Sequence, residues 1–389
     1  MEQERFVTVY LKSVYFLIFF GFGGLFPLLS VYLREIEGLS GAEIGVIISI
    51  GPIIMIFAQP LWGMVSDYTQ KPREILSMTM VITGGIALLY LPFSNYMTFV
   101  FIAALVAVFQ GSIVPISDSI TLNYVQEKGR NYGDIRLWGA AGFAISVLLV
   151  GSLSDMFGLT IIFYVFAVSL WVCAYFTRKM PKEGRLPKVQ LRRGIAQLFY
   201  NKKFVLFMLT TFFVFGPIFA NNFYFGLLIQ DAGGTLTGVG IAFLLAAGSE
   251  IPFMKWVGYW IQRAGLIQIL FIATVVSALR WFFYAFEPSP ILIYMTTIAQ
   301  GISIGLFIPA ALQYVRKIAP QDVKVTAVAI YSSVGGGIGT SFCTFVAGLL
   351  LDRFDIFTVY LFFGGLTTLG AITLVVNMLS GEEKVEALS

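Results

Sequence analysis

RKMPKEGRLPKVQLRRGIAQLFYNKK, residues 178–203, is the one long polar stretch between the apolar runs of this chain, and it carries nine lysines and arginines. The 389-residue sequence is otherwise 58% hydrophobic and 12% charged, with a mean hydropathy of +0.86. That leaves too little polar surface to cover a water-soluble globule, so most of the chain's solvent must be lipid. Working outward from the basic stretch, apolar runs of about 20 residues or more recur, the length that crosses a hydrocarbon core at 1.5 Å per helical residue. They fall at 6–33, 42–65, 74–92, 96–127, 132–153 and 158–177 before it, and at 204–229, 236–260, 266–286, 290–315, 324–351 and 356–379 after it. The expectation is an all-α membrane protein with twelve transmembrane helices in two bundles of six. Residues 1–177 form one bundle, 178–203 a basic cytoplasmic linker, 204–379 the second bundle and 380–389 a cytoplasmic tail. The LRRGIAQLF portion of the linker reads either as a short interfacial helix or as a solvated loop.

Charge sets the orientation. Arg5, Lys71, Arg73, Lys128, Arg130, Arg263, Arg316, Lys317 and Lys324 fall in alternate connections on the same side as the linker, while the opposite loops hold only Arg34 and Arg353. The positive-inside rule then puts both termini in the cytoplasm of a bacterial-type inner membrane. The first apolar run is too long for a signal-peptide core and is read as a retained helix. The net charge of +4 is explained by these loops, so no nucleic-acid partner is implied. Cys173 and Cys343 lie within spans and imply no disulfide framework.

The two halves repeat. GSLSDMF at 151–157 matches GLLLDRF at 348–354, and Gln110-Gly111 before Tyr124-Val125 returns as Gln300-Gly301 before Tyr314-Val315. A parallel duplication of six helices is a transporter arrangement, with a site between the halves near the bilayer midplane.

Ionisable groups deep in a span are costly unless paired or hydrated, so each marks a candidate site. Four stand out: Asp118, Arg136, Glu250 and Arg280. Asp118 lies roughly 15 Å before the cytoplasmic end of the fourth span, Arg136 about five residues into the fifth, and the short turn between them makes the helices antiparallel neighbours. Glu250 and Arg280 lack partners in their own helices, so they compensate each other or face a wet cavity, as proton coupling requires. Lys12 and Lys255 lie nearer the cytoplasmic ends and read as snorkelling residues. Trp138 and Trp281, beside the two arginines, are read either as rings stacked on cations or substrate, or as packing.

The duplication, GMVSDYTQKPR at 63–73, and PISD followed by YGDIRLWGAAGF resemble the major facilitator superfamily, in the branch holding the lactose permease, nucleoside:proton symporters and phenylpropionate-type permeases. The resemblance covers essentially the whole chain. It implies that Gly63, Asp67, Lys71 and Arg73 form a gate after the second helix, with Asp67 near a helix N-terminus, and GYWIQRAG at 258–265 is a degenerate copy. Pro115, Asp118 and Arg136 reproduce the family spacing of a sugar-binding carboxylate and arginine, and Phe143 occupies the place of a stacking Trp. Glu250 and Arg280 match the proton-handling carboxylate and arginine, whereas Gln300 and Ser303 replace a His and an acidic residue in a chain with no His at all.

These readings imply a secondary active transporter for a small polar solute, a sugar or a nucleoside, working by alternating access with proton symport. Substrate binding is expected from Asp118, Arg136, Phe143, Asn222, Gln300 and Arg280, and proton coupling from Glu250, Asp118 and Arg280. A uniporter, or a proton-coupled exporter of drugs or aromatic acids, stays open. No Walker sequence, nucleophile constellation or metal-ligand cluster appears, so no cofactor, metal or catalytic residue is expected, and GGGIG at 335–339 reads as a place for close helix approach and bending. The expected partners are the solute, protons and the lipid bilayer, and the expected state is a monomer.

Overall fold

The structure is a computed structural model describing residues 2–129, 132–180, 198–320 and 323–386, and every regular element among them is helical. Helices span α1 Phe6–Glu35, α2 Gly41–Thr69, α3 Pro72–Tyr90, α4 Tyr96–Lys128, α5 Tyr132–Phe157 and α6 Ile161–Thr177 in the first half. The second half holds α7 Lys202–Asp231, α8 Leu236–Ala264, α9 Leu266–Ala285, α10 Pro290–Ile318, α11 Thr326–Arg353 and α12 Ile356–Leu379. The twelve apolar runs are thus twelve helices, eleven of them long and apolar enough to cross a membrane and the twelfth, α6, a shorter apolar helix of 17 residues; a helix satisfies its own backbone where no water is present to do so. Of the basic stretch at 178–203, residues 181–197 lie outside the described residues, with most of its LRRGIAQLF portion, as do 387–389 of the tail.

The helix ends follow local chemistry. Ser40 caps α2 by accepting from Glu43 N at 3.3 Å while the Glu43 carboxylate accepts from Ser40 N at 2.9 Å, a reciprocal capping box. The N-terminus of α8 is capped from another helix instead. Asp155 near the end of α5 accepts from Leu236 N at 3.2 Å, Thr237 N at 2.8 Å and Thr237 Oγ1 at 2.6 Å.

Two helices lose regular α geometry at matching places in the repeat. In α4 the regular helix stops at Gln110 and resumes at Ile113, because Pro115 has no N–H for the Gly111 carbonyl and its ring crowds that oxygen. In α10 the turn Thr297–Ala299 tightens to a 3₁₀ helix just before Gln300. There Thr296 donates to the Leu292 carbonyl at 2.7 Å and Thr297 to the Tyr294 carbonyl at 2.5 Å, back-bonding that bends a helix. The Gln-Gly pairs at 110–111 and 300–301 therefore mark both irregular turns. GGGIG contributes a π-helical turn, Ser333–Gly339, so that run does deform its helix.

Contacts gather the chain into two compact units. One contains Met1–Pro187 with Asn222–Gln230 and Gly234–Leu244, and the other Lys188–Asn221, Asp231–Gly233 and Leu245–Ser389. The first helix of each half is the most enclosed: 72% of the most apolar window of α1 is buried and 67% of that of α7, against 33% for α2. In lipid, apolar side chains gain nothing by leaving solvent, so helices are held by close fit and by polar links between them. In the first unit Ser146 of α5 donates to the Phe20 carbonyl of α1, and the Phe143 ring meets Phe243 with centroids 5.7 Å apart. In the second, Tyr360 of α12 donates to Asn221 of α7 at 2.7 Å and packs on Trp281 of α9 at 5.7 Å.

Candidate functional site

Two polar clusters interrupt the apolar interior, one in each unit. The first is built on one face of α5, where Tyr132, Arg136, Gly139 and Phe143 recur at helical spacing. Opposite stand Tyr15 and Phe19 of α1 and Asp118 of α4. The Asp118 oxygen Oδ1 accepts from Tyr15 Oη at 2.5 Å and from Tyr132 Oη at 2.8 Å, and Arg136 Nε lies 3.9 Å from that same atom. At that separation the pair attracts without a hydrogen bond. The Arg136 guanidinium rests on the Phe19 ring, 4.3 Å from its centroid, and lies 5.4 Å from that of Tyr15.

Asp118 and Arg136 thus come together as their spacing implied, yet neither is consumed by the other. Among the described residues Asp118 Oδ2 has no hydrogen-bond partner and Arg136 donates no hydrogen bond, and their side chains remain 29% and 34% exposed. A carboxylate oxygen that accepts and a guanidinium fork that donates, held side by side over aromatic rings, can grip two neighbouring hydroxyl groups of a polyol. A Cβ at position 139 would stand 2.8 Å from both Arg136 Nη1 and Phe19 Cδ2, so Gly139 makes room for the stacked guanidinium.

The second cluster joins α8, α9 and α10. Arg280 Nη1 donates to Gln300 Oε1 at 2.8 Å, and Gln300 Nε2 donates to Glu250 Oε1 at 3.1 Å. Glu250 and Arg280 do compensate each other, through the amide of Gln300 rather than directly. The orientation of that amide is dictated: Arg offers only donors, so it takes the amide oxygen, which leaves the NH₂ for the carboxylate. Arg280 is 4% exposed, its guanidinium lies 4.2 Å from the Trp281 ring centroid, and its Nε and Nη2 have no hydrogen-bond partner among the described residues. Cation–π contact over a buried indole offsets part of the cost of that burial.

The remaining expected residues divide. Asn222 is half-buried and makes no hydrogen bond among the described residues, whereas its neighbour Asn221 is occupied by Tyr360. Phe143 keeps its ring against Phe243. Trp138 does not stack on Arg136; its ring faces Lys12, 5.7 Å from Nζ, because position 138 leaves the face shared by 132, 136 and 139. Of the gate stretch, Lys71 pairs with Glu74 at 3.4 Å, and Arg73 donates to the carbonyls of Arg178 at 2.8 Å and Met180 at 2.9 Å just beyond α6. Gly63 lies within α2, and Asp67 sits in the closing turn of that helix, whose own dipole favours a cation there rather than a carboxylate. The sequence reading missed Tyr15, Phe19 and Tyr132. Tyr132, four residues before Arg136 on the same face, carried a usable signal; Tyr15 and Phe19 come from a distant helix and carried none.

Residues 8–362 match the MFS_1-like family. A maltose permease of Geobacillus stearothermophilus is 49% identical over 375 residues, covering 95% of each chain. The uncharacterized transporter YwbF of Bacillus subtilis is 44% identical over 361 residues, 92% of this chain and 90% of that one. The crystal structure of the nucleoside transporter NupG superposes with a TM-score of 0.84 over 96% of this chain and 99% of that one, at 19% identity, a likeness of fold. With twelve apolar helices and two polar clusters but a transporter's relatives, the chain belongs to the MFS_1-like family and is a multi-pass membrane transporter of small solutes rather than an enzyme.

Proposed function

We propose that the chain imports a sugar of the maltose kind across the inner membrane, with a proton, by alternating access of its two six-helix halves. The observation that carries this reading is the Asp118 and Arg136 pair. Both charges are fixed in place by Tyr15, Tyr132 and Phe19, while one carboxylate oxygen and the guanidinium donors stay available for hydroxyl groups. The 49% identity to a maltose permease supports a sugar over a nucleoside. Phe143 offers a ring for the apolar face of the sugar, and Asn222 of the same unit adds an amide that makes no hydrogen bond among the described residues. Residues 1–177 and 204–379 act as the moving bundles of a monomer with both termini in the cytoplasm, tied by the basic linker at 178–203. Gly63, Asp67, Lys71 and Arg73 bias the gate between its two arrangements.

Glu250 is the proton carrier in this reading. Gln300 cannot pass a proton on, so Glu250 exchanges it with water directly, and the amide links the charge of the carboxylate to Arg280. A uniporter is the second reading, favoured by the absence of any His and by Gln300 having both ends engaged. Uptake of labelled maltose into proteoliposomes decides between them. Symport predicts accumulation above the outside concentration under an inward proton gradient, and its absence with equilibration intact makes the chain a uniporter. Saturable uptake of nucleosides with no uptake of maltose overturns the sugar assignment.

A further inference from the structure

A groove of about 540 Å³ runs along the first unit between α1, α5 and α6, bounded by Val9, Phe16 and Leu17 on α1, Trp138 on α5, and Val172 and Phe176 on α6. It lies away from the Asp118 and Arg136 cluster, because Trp138 leaves the face of α5 that carries Arg136. Its lining is apolar except for Ser13 and Lys12. Lys12 is about 9 Å along the helix from Phe6, well inside the span. Its ammonium lies 5.7 Å from the Trp138 ring centroid and makes no hydrogen bond or ion pair among the described residues. A second ammonium stands at the other rim: Lys179 donates to Tyr10 Oη at 3.4 Å, and the Tyr10 ring packs on Phe176 of the groove at 6.0 Å. Lys179 also lacks an acidic partner among the described residues.

Two ammonium groups with no acidic partner among the described residues, at the edge of an apolar channel in a membrane helix bundle, call for an anion with an apolar tail. We propose that this groove holds an anionic phospholipid of the leaflet at the amino-terminal end of α1, one acyl chain along Phe16, Leu17 and Val172 and its phosphate between Lys12 and Lys179. Zwitterionic lipids bring a cation that the lysines repel, whereas phosphatidylglycerol brings none. The long stem of Lys12 lets its charge reach the headgroup level while its methylenes stay in the groove. The site is independent of which solute is carried.

Trp138 is a built-in reporter. The full chain is reconstituted in phosphatidylcholine containing acyl-brominated phosphatidylglycerol, or brominated phosphatidylcholine instead, and the Trp138 share of fluorescence is taken as the difference between wild type and Trp138→Phe. The brominated anionic lipid is expected to quench that share at a lower mole fraction, with roughly a fivefold loss of preference for each lysine removed in Lys12→Gln and Lys179→Gln, and retention in Lys12→Arg. Lys179 is exposed at the rim, so its variant tests the proposal even where Lys12→Gln fails to fold. Equal quenching by both lipids in wild type, or preference unchanged in both glutamine variants, overturns it. So does no quenching by either lipid, the result expected if a protein segment or a second copy covers the groove.

Discussion

The two polar clusters each pair an acid with an arginine, but they resolve the charge in opposite ways. In the first, Asp118 is held by two tyrosine hydroxyls and Arg136 by a phenyl ring, so the ions stand 3.9 Å apart with a third of each side chain exposed. In the second, an amide fills the gap between acid and base, Arg280 is almost wholly buried, and an indole covers its face. An ion pair held apart has bonding capacity left for a solute. In the closed pair Gln300 takes one Arg280 nitrogen and one Glu250 oxygen, and the Arg280 Nε and Nη2 left without a partner among the described residues are buried. In the function proposed above, recognition falls to the first cluster and coupling to the second.

The sharpest way to break that assignment is to neutralise the open pair. Asp118→Asn and Arg136→Gln each remove a charged hydrogen bond to the solute and leave the opposite charge in a half-buried place without its counterion. At about 1.5–3 kcal/mol for each charge-assisted bond, kcat/KM for uptake should fall roughly 10²-fold. Solute-dependent thermal stabilisation of the purified protein should vanish with it. A variant that keeps wild-type affinity removes Asp118 and Arg136 from the site.

Neutralising the closed pair should separate two readouts that fall together in the first. Glu250→Gln keeps the bridge to Gln300, because an amide can accept where the carboxylate did. Exchange of labelled for unlabelled solute should persist, accumulation driven by a proton gradient should collapse to the outside concentration, and the pH dependence of uptake should flatten. Continued accumulation would move the proton to another residue.

How far the sequence carried depended on how rare each signal is. In a lipid solvent the backbone must close on itself, so twelve long apolar runs could only be helices. Four ionisable residues in apolar spans stood out for the same reason, and all four lie in the two clusters. Tyr15 and Phe19 were hidden by abundance: 16% of the chain is aromatic, and nothing local distinguishes a ring that steadies a charge from one that fills a gap, whereas Tyr132 was marked by its helical spacing from Arg136. Gln300 was legible as a replacement but not as a bridge, because its partners come from two other helices. Asp155 was visible as a mark of the repeat, and its capping of α8 needed three-dimensional proximity between α5 and a helix of the other half of the sequence.

The smallest expected effects come from one methyl group placed beside each cluster. At Gly301 a Cβ would stand 2.5 Å from the Ser249 carbonyl oxygen, backbone against backbone, so α8 and α10 must separate where Gln300 bridges them. Gly301→Ala should cost about 1–3 kcal/mol in stability, the range for overpacking a close contact, and lower the thermal midpoint. At Gly139 the added methyl would meet only the tips of Arg136 and Phe19, which can turn aside. Gly139→Ala should leave the midpoint near wild type and raise KM several-fold, because the guanidinium is displaced while the helices are not. If Gly139→Ala instead unfolds the protein with KM unchanged in the surviving fraction, Arg136 is a packing residue and the openness of the first cluster has no bearing on recognition.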